Sequence, residues 1–114
     1  MQNNKNNTPN EWIKTKLIEI AFWGSGGTPS RKVPEYFNGD IPWIKTGELS
    51  TKYIKDSREK ITQKAVKKSS AKIFPKDSVL IAMYGASIGK ISILKINAST
   101  NQACAVGQVR DNIL

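Results

Sequence analysis

The apolar residues of this chain come in short runs, and glycine or proline interrupts nearly every one. Ile41-Pro-Trp-Ile44 follows the turn signal Asn38-Gly39, and Val79-Leu-Ile-Ala-Met83 lies between the turn Pro75-Lys-Asp-Ser78 and a loop from Gly85 to Gly89. Glycine and proline both break regular structure, so runs this short favour strands over long helices. Ile91, Ile93 and Ile96, with Ser92 and Lys95 between them, give a further strand, and Ala103 to Val109 gives a last one. Trp12 to Phe22 fits both periods in part: a short strand, one helical turn near Leu17 to Ala21, then an extended approach to the loop Gly24-Ser-Gly-Gly-Thr-Pro29. Thr62 caps a short helix through Gln63 to Ser70, with Ala65 and Ser69 packed and Lys64, Lys67 and Lys68 in solvent. Pro42 restricts the Ile41–Ile44 strand to a sheet edge. The pattern predicts an α+β fold: a mainly antiparallel, twisted or barrel-like sheet with one or two short helices. Its expected core includes Trp43, Val79, Leu80, Ile81, Ile91 and Ile93.

A chain of 114 residues with 39% apolar content supports one domain of modest core. Residues 1–10, MQNNKNNTPN, lack apolar periodicity and are expected to form a disordered lead-in to a folded unit over 11–114. No apolar stretch follows the start as in a signal peptide, and no run approaches the roughly 18 apolar residues of a membrane helix. Cys104, in Ala103-Cys-Ala-Val106, has no partner for an internal disulfide and is expected to be a small buried hydrophobe in a reducing cytoplasm. The absence of histidine excludes zinc sites of the Cys/His type and any mechanism with a histidine base.

Net charge is +9, from 18 Lys and Arg against 9 Asp and Glu. Either the lysine content reflects genome composition, or the partner is a polyanion, whose counterions the lysines displace. The charge is uneven. Arg58, Lys60, Lys64, Lys67, Lys68, Lys72 and Lys76 crowd one stretch in which Glu59 is the one acid.

Motifs that carry catalysis fail on spacing. Phe22-Trp-Gly-Ser-Gly26 matches F-x-G-x-G, a pattern that holds S-adenosylmethionine, but Gly27-Thr28-Pro29 forbids the helix that should follow, and no N-P-P-Y or D-P-P-Y segment is present. Gly85-Ala-Ser-Ile-Gly-Lys90 has three residues between its glycines instead of four, then Ile91 where a magnesium-binding hydroxyl belongs. It is either a tight turn between strands or a turn whose N–H groups and Lys90 touch a nucleic-acid phosphate. No lysine has an acid two residues before it, as metal-dependent nucleases usually do. No catalysis, cofactor or metal is expected. Trp12, Trp23 and Trp43 are core residues or, in the less favoured reading, platforms for unpaired bases.

Four segments in order resemble one family. They are Gly26-Gly-Thr-Pro-Ser30; Asn38-Gly-Asp-Ile-Pro-Trp-Ile-Lys45 continuing to Gly47-Glu-Leu49; the apolar Val79 run ending in Ile88-Gly-Lys90; and Thr100-Asn-Gln-Ala103. Together they resemble the target-recognition domain of type I restriction-modification specificity subunits, over about residues 11 to 110. The resemblance implies a module that reads one half of a split double-stranded DNA target without chemistry. In such subunits helical spacers bind methyltransferase subunits, which hold S-adenosylmethionine, and a further subunit translocates and cuts. This chain shows no heptad-like stretch, so the resemblance covers the domain without its C-terminal part or spacer helix. Alternatives are the reader portion of a fused methyltransferase or nuclease, and an RNA- or single-strand-binding β module.

Readers need polar groups on loops at sheet ends. Four loops qualify: Ser25 to Arg31, Lys45 to Lys52, Tyr84 to Lys90, and Ala98 to Gln102. Residues common to a family that reads many sequences should hold backbone or build scaffold, so base readout is expected from residues outside or beside the shared motifs: Arg31, Thr46, Ser50, Thr51, Lys52, Tyr84 and Ser87. Expected backbone contacts are Ser25, Thr28, Lys45, Lys64, Lys67, Lys68, Lys72, Lys90, Asn101 and Gln102.

Overall fold

The computed structural model describes residues 21–109. The lead-in over 1–10 and the helical turn expected near Leu17 to Ala21 lie outside the described residues, except Ala21, which is in a strand, as are Gly24 and Ser25, expected in a loop.

In chain order the elements are β1 (Ala21–Ser25), a 3-10 turn (Pro34–Phe37), β2 (Ile41–Ile44), a second 3-10 turn (Thr46–Glu48), β3 (Tyr53–Ile54), β4 (Glu59–Ile61), α1 (Gln63–Lys67), β5 (Val79–Ala82), β6 (Ile91–Leu94), β7 (Ser99–Thr100) and β8 (Cys104–Val109). They form two sheets, one of five strands in the order β1-β8-β5-β6-β3 and one of three in the order β4-β2-β7. Short strands with one short helix make an α+β fold, as the turn pattern predicts. The sheets are mainly antiparallel, as expected, but mixed, and they do not close into a barrel. β2 runs parallel to β7 and β3 parallel to β6, while the remaining pairs are antiparallel. Both parallel partners are two-residue strands contributed by loops, so periodicity carries no sign of them.

β2 explains how the layers stack. Successive side chains of a strand point to opposite faces, and both Trp43 (1% exposed) and Ile44 (0%) are buried. Ile44 joins Leu80, Ala82, Leu94, Val106 and Cys104 in a core between the two sheets, closed by Leu49, Ile54, Phe74 and Ala98. Trp43 faces the other way, into a second core with Ile61, Ala65 and Ala71, flanked by Tyr36, Phe37, Ile41 and Val66. A strand covered on both faces reads as a continuous apolar run, which is what Ile41-Pro-Trp-Ile44 is. Pro42 does not mark an edge here, because β2 is central. The Trp43 N–H donates to Ser57 Oγ on the β4 side (3.2 Å). The Pro42 nitrogen therefore faces the opposite side, where β7 pairs only with Trp43 and Ile44. No ladder bond is lost.

α1 is shorter than expected, ending at Lys67. Thr62 caps it as predicted, its hydroxyl accepting from the Ala65 N–H at 3.0 Å. Ser69 Oγ donates to the Ala65 carbonyl and accepts from the Ala71 N–H, which diverts the chain out of the helix.

Two of the six expected core residues are fully buried. Trp43 and Leu80 are buried, Val79, Ile81 and Ile93 are partly buried, and Ile91 is 58% exposed. β6 faces opposite to its apolar alternation: Ser92 and Leu94 point inward, because Ser92 Oγ donates to the Thr51 carbonyl and is satisfied there. The outer face of the five-stranded sheet therefore carries Val79 beside Ile93 and Ile81 beside Ile91.

Candidate nucleic-acid interface

Strand register decides where the four loops go. β1 ends with Ser25 opposite Ala105, β8 begins with Cys104 opposite Ala82, and β6 begins with Ile91 opposite Ile81. The loops after β1, before β8 and between β5 and β6 thus emerge at one end of the five-stranded sheet. The fourth joins them through β3, where the Lys52 carbonyl accepts from the Ile93 N–H at 2.8 Å.

Backbone bonds join these loops into one surface. The Gly26 N–H donates to the Cys104 carbonyl, Gly27 to Thr100, Asn101 to Ile44, and Met83 to Ala103. The Thr28 hydroxyl donates to Gln102 Oε1. Gly27 lies where a Cβ would meet the Ser70 carbonyl carbon at 2.6 Å and the Ala71 nitrogen at 2.7 Å, and its carbonyl accepts from buried Trp43 Nε1–H at 3.1 Å. Only glycine permits that approach.

The candidate residues divide accordingly. Ser50, Thr51, Lys52 and Tyr84 are exposed, and Ser87 and Thr46 are partly so. Thr51 spends its hydroxyl on the Tyr53 carbonyl, and Lys52 Nζ lies 5.3 Å from the Tyr53 ring centre. Ser25 and Lys72 meet, Lys72 Nζ donating to the Ser25 carbonyl at 3.4 Å. Lys90 and Gln102 are exposed. Asn101 Oδ1 is buried with no hydrogen-bond partner among the described residues. Lys64 and Lys67 stand exposed on α1 and Lys68 just after it, α1 packing through Ala65 in the core that Trp43 faces. In the β5–β6 loop the N–H groups of Ile88, Gly89 and Lys90 are spent on the carbonyls of Gly85, Ala82 and Ser87. Gly85 and Gly89 take the positive φ values of 91° and 87° that let the loop close on itself. It is built as a tight turn.

Arg31 is the one base-reading candidate whose charged head is already engaged by a carboxylate. Its Nη1 and Nη2 donate to Glu59 Oε1 and Oε2 at 2.7 and 3.1 Å. Its guanidinium carbon sits 4.1 Å from the Phe37 ring centre and 5.2 Å from that of Trp43. Lys45 Nζ donates to Glu59 Oε2 at 2.6 Å. These two cations hold the Glu59 carboxyl well below its ordinary value, at about 2, the Arg31 hydrogen bonds contributing most and Lys45 next. The second acid of this region, Glu48, is spent on backbone: its carboxylate accepts from the N–H groups of Lys45 and Arg58, both at 3.0 Å. Neither acid was a sequence candidate. Glu59 had a signal, as the lone acid within a run of seven bases.

Among the described residues there is no group of three or more His, Cys, Asp or Glu side chains placed to hold a metal ion, and no helix long and apolar enough to cross a membrane.

Residues 9–114 match the family model described as type I restriction modification DNA specificity domain. The chain belongs to this family. It is 41% identical over 97 residues to the type I restriction enzyme MjaIX specificity subunit of Methanocaldococcus jannaschii, covering 82% of this chain and 22% of that protein. It is 36% identical over 108 residues to the EcoR124I/EcoR124II specificity subunit of Escherichia coli, covering 91% of this chain and 26% of the relative. Among solved structures, the HsdS subunit from Thermoanaerobacter tengcongensis shares the fold, with a TM-score of 0.64 at 16% identity over 83% of this chain and 23% of that one. The chain thus spans about a quarter of the length of the curated relatives it matches.

Proposed function

We propose that this chain is a sequence-specific reader of double-stranded DNA within a type I restriction-modification system. It does no chemistry itself and acts in the cytoplasm beside methyltransferase subunits and, through them, a restriction and translocation subunit. The observation that carries this reading is the convergence of four loops from separate strands on one sheet end, with Arg31, Lys45, Lys52 and Lys90 on them and Lys72 reaching the Ser25 carbonyl. Such a surface suits a duplex, whose phosphates fix position while base edges supply sequence. Within it Ser50, Thr51, Lys52, Tyr84 and Ser87 are exposed enough to reach base edges, with Thr46 beside them, and Ser25, Thr28, Lys72, Lys90, Asn101 and Gln102 form the frame. The lysines of α1 add long-range attraction. Removing one of them should weaken binding about equally for all sequences and reduce the salt slope by roughly 1 if it meets a phosphate.

The deciding experiment is a graft. Ser50, Thr51, Lys52, Tyr84 and Ser87 are replaced by their counterparts from a family member with a different target, and the methylation pattern of the assembled complex is mapped. A changed pattern supports the assignment; an unchanged one moves base readout elsewhere. Competition between duplex and single-stranded oligonucleotides tests the nucleic-acid class.

A further inference from the structure

The geometry points to a phosphodiester-binding site on Arg31 and Lys45, with Glu59 as the residue that positions both. This inference rests on the DNA-binding reading of the loop end and goes beyond it by moving Arg31 from base readout to phosphate.

A guanidinium carries five N–H donors and an ammonium three. Glu59 takes two from Arg31 and one from Lys45. The Arg31 side chain is 54% exposed and that of Lys45 36%, so their remaining donors reach solvent, whereas Glu59 is only 26% exposed beneath them. Two cations share one carboxylate, leaving one positive charge, which matches the single negative charge of a phosphodiester. The second anion can therefore bind beside Glu59 without displacing it.

The same contacts argue against guanine reading. A guanine contact uses the planar fork of arginine bidentately on O6 and N7. Here Nη1 and Nη2 are already committed to Glu59, and the guanidinium carbon stands over the Phe37 and Trp43 rings. The ring contacts and the carboxylate together fix where the remaining donors point. An arginine held this way gives up little rotamer freedom when it grips an anion, which is how pre-organisation strengthens binding. Trp43 ties the arrangement to the loop surface, since its Nε1–H donates to the Gly27 carbonyl. Lys45 follows directly on β2 through Ile44, whose carbonyl accepts from the Asn101 N–H.

Glu59→Gln decides between two opposite signs. If Glu59 only screens positive charge, its neutralisation raises the net charge and tightens binding to any duplex. If it positions Arg31 and Lys45, neutralisation weakens binding, by roughly three- to tenfold as expected when a pre-organised charged pair is disrupted. The salt slope should then fall by about 0.9 for each phosphate no longer neutralised. Binding of the full chain to a mixed-sequence duplex is measured across a salt series, with a thermal melt to confirm folding. Arg31→Lys keeps the charge but removes the fork, and should weaken binding in the same direction. Tighter or unchanged binding by folded Glu59→Gln overturns the proposal. A readout on the unaltered chain removes dependence on the variants: adding duplex should shift the Arg31 Nε–H resonance, and no shift at saturating duplex overturns the proposal as well. Failure of the unaltered chain to bind duplex at low salt would instead refute the DNA-binding reading itself.

Discussion

Replacing Gly27 with alanine should be among the most damaging single-methyl changes this chain can receive. The added Cβ would lie 2.6 Å from the Ser70 carbonyl carbon and 2.7 Å from the Ala71 nitrogen, both backbone atoms. Reaching the 3.4 Å of ordinary contact requires a backbone displacement of about 0.8 Å. Two hydrogen bonds stand in the way. Gly27 donates to the Thr100 carbonyl at 2.9 Å and accepts from buried Trp43 Nε1–H at 3.1 Å. Weakening both, with the Trp43 donor left unsatisfied, should cost about 3 kcal/mol, since an unsatisfied buried polar group alone costs about 1–3 kcal/mol. For a domain of this size that lowers Tm by about 12–24 °C. The control is Gly47→Ala, where nothing lies within 4 Å of the added methyl. It should stay within about 0.5 kcal/mol of the parent. The assay is thermal and urea unfolding of the two variants beside the parent, followed by near-ultraviolet circular dichroism. A Gly27→Ala protein melting within about 3 °C of the parent would refute the close-approach argument, and so would equal losses at the two glycines.

Leu80→Ala, at a side chain 0% exposed, should cost about 2–5 kcal/mol by urea unfolding, while Ile91→Ala, at 58% exposure, should cost under about 1. Glu59 has its folded pKa lowered from 4.5 to about 2, so its contribution to stability is present above pH 4.5 and is lost as pH falls toward 2. With solvent screening, that contribution is about 1 kcal/mol, and acid unfolding of Glu59→Gln should lack it over the same window. Burial pushes the Cys104 thiol up to about 11. A thiol reagent at pH 8 should therefore leave the folded chain unlabelled and react on addition of urea.

The strands that sequence revealed are those with an apolar run, β2, β5 and β8, and β6, where isoleucines recur with Ser92 between. β3, β4 and β7 escaped because each is two or three residues long, and their pairing is set by distant partners. The β6 facing was misread because a buried serine with a satisfied hydroxyl looks polar in sequence. The Pro42 rule failed because a central strand can hold proline where one neighbour has not yet begun. At the loop end, the four segments were legible because glycine and hydroxyl residues punctuate them, and strand register then joined their ends. What sequence could not give was the engagement of Arg31. Its carboxylate partner stands 28 residues away, on β4.

The pairing of β1 with β8 governs how such a unit joins to other chain. Ala21, the first described residue of β1, pairs with Val109, the last of β8. Directly opposed residues of an antiparallel pair have Cα atoms about 4.5–5.5 Å apart. The chain therefore enters and leaves the described residues at nearly the same point. Everything that varies between those two residues, including all four loops, can change without altering the separation at which flanking segments are held. Segments on either side of this strand pair thus meet the same spacing whatever loops stand between.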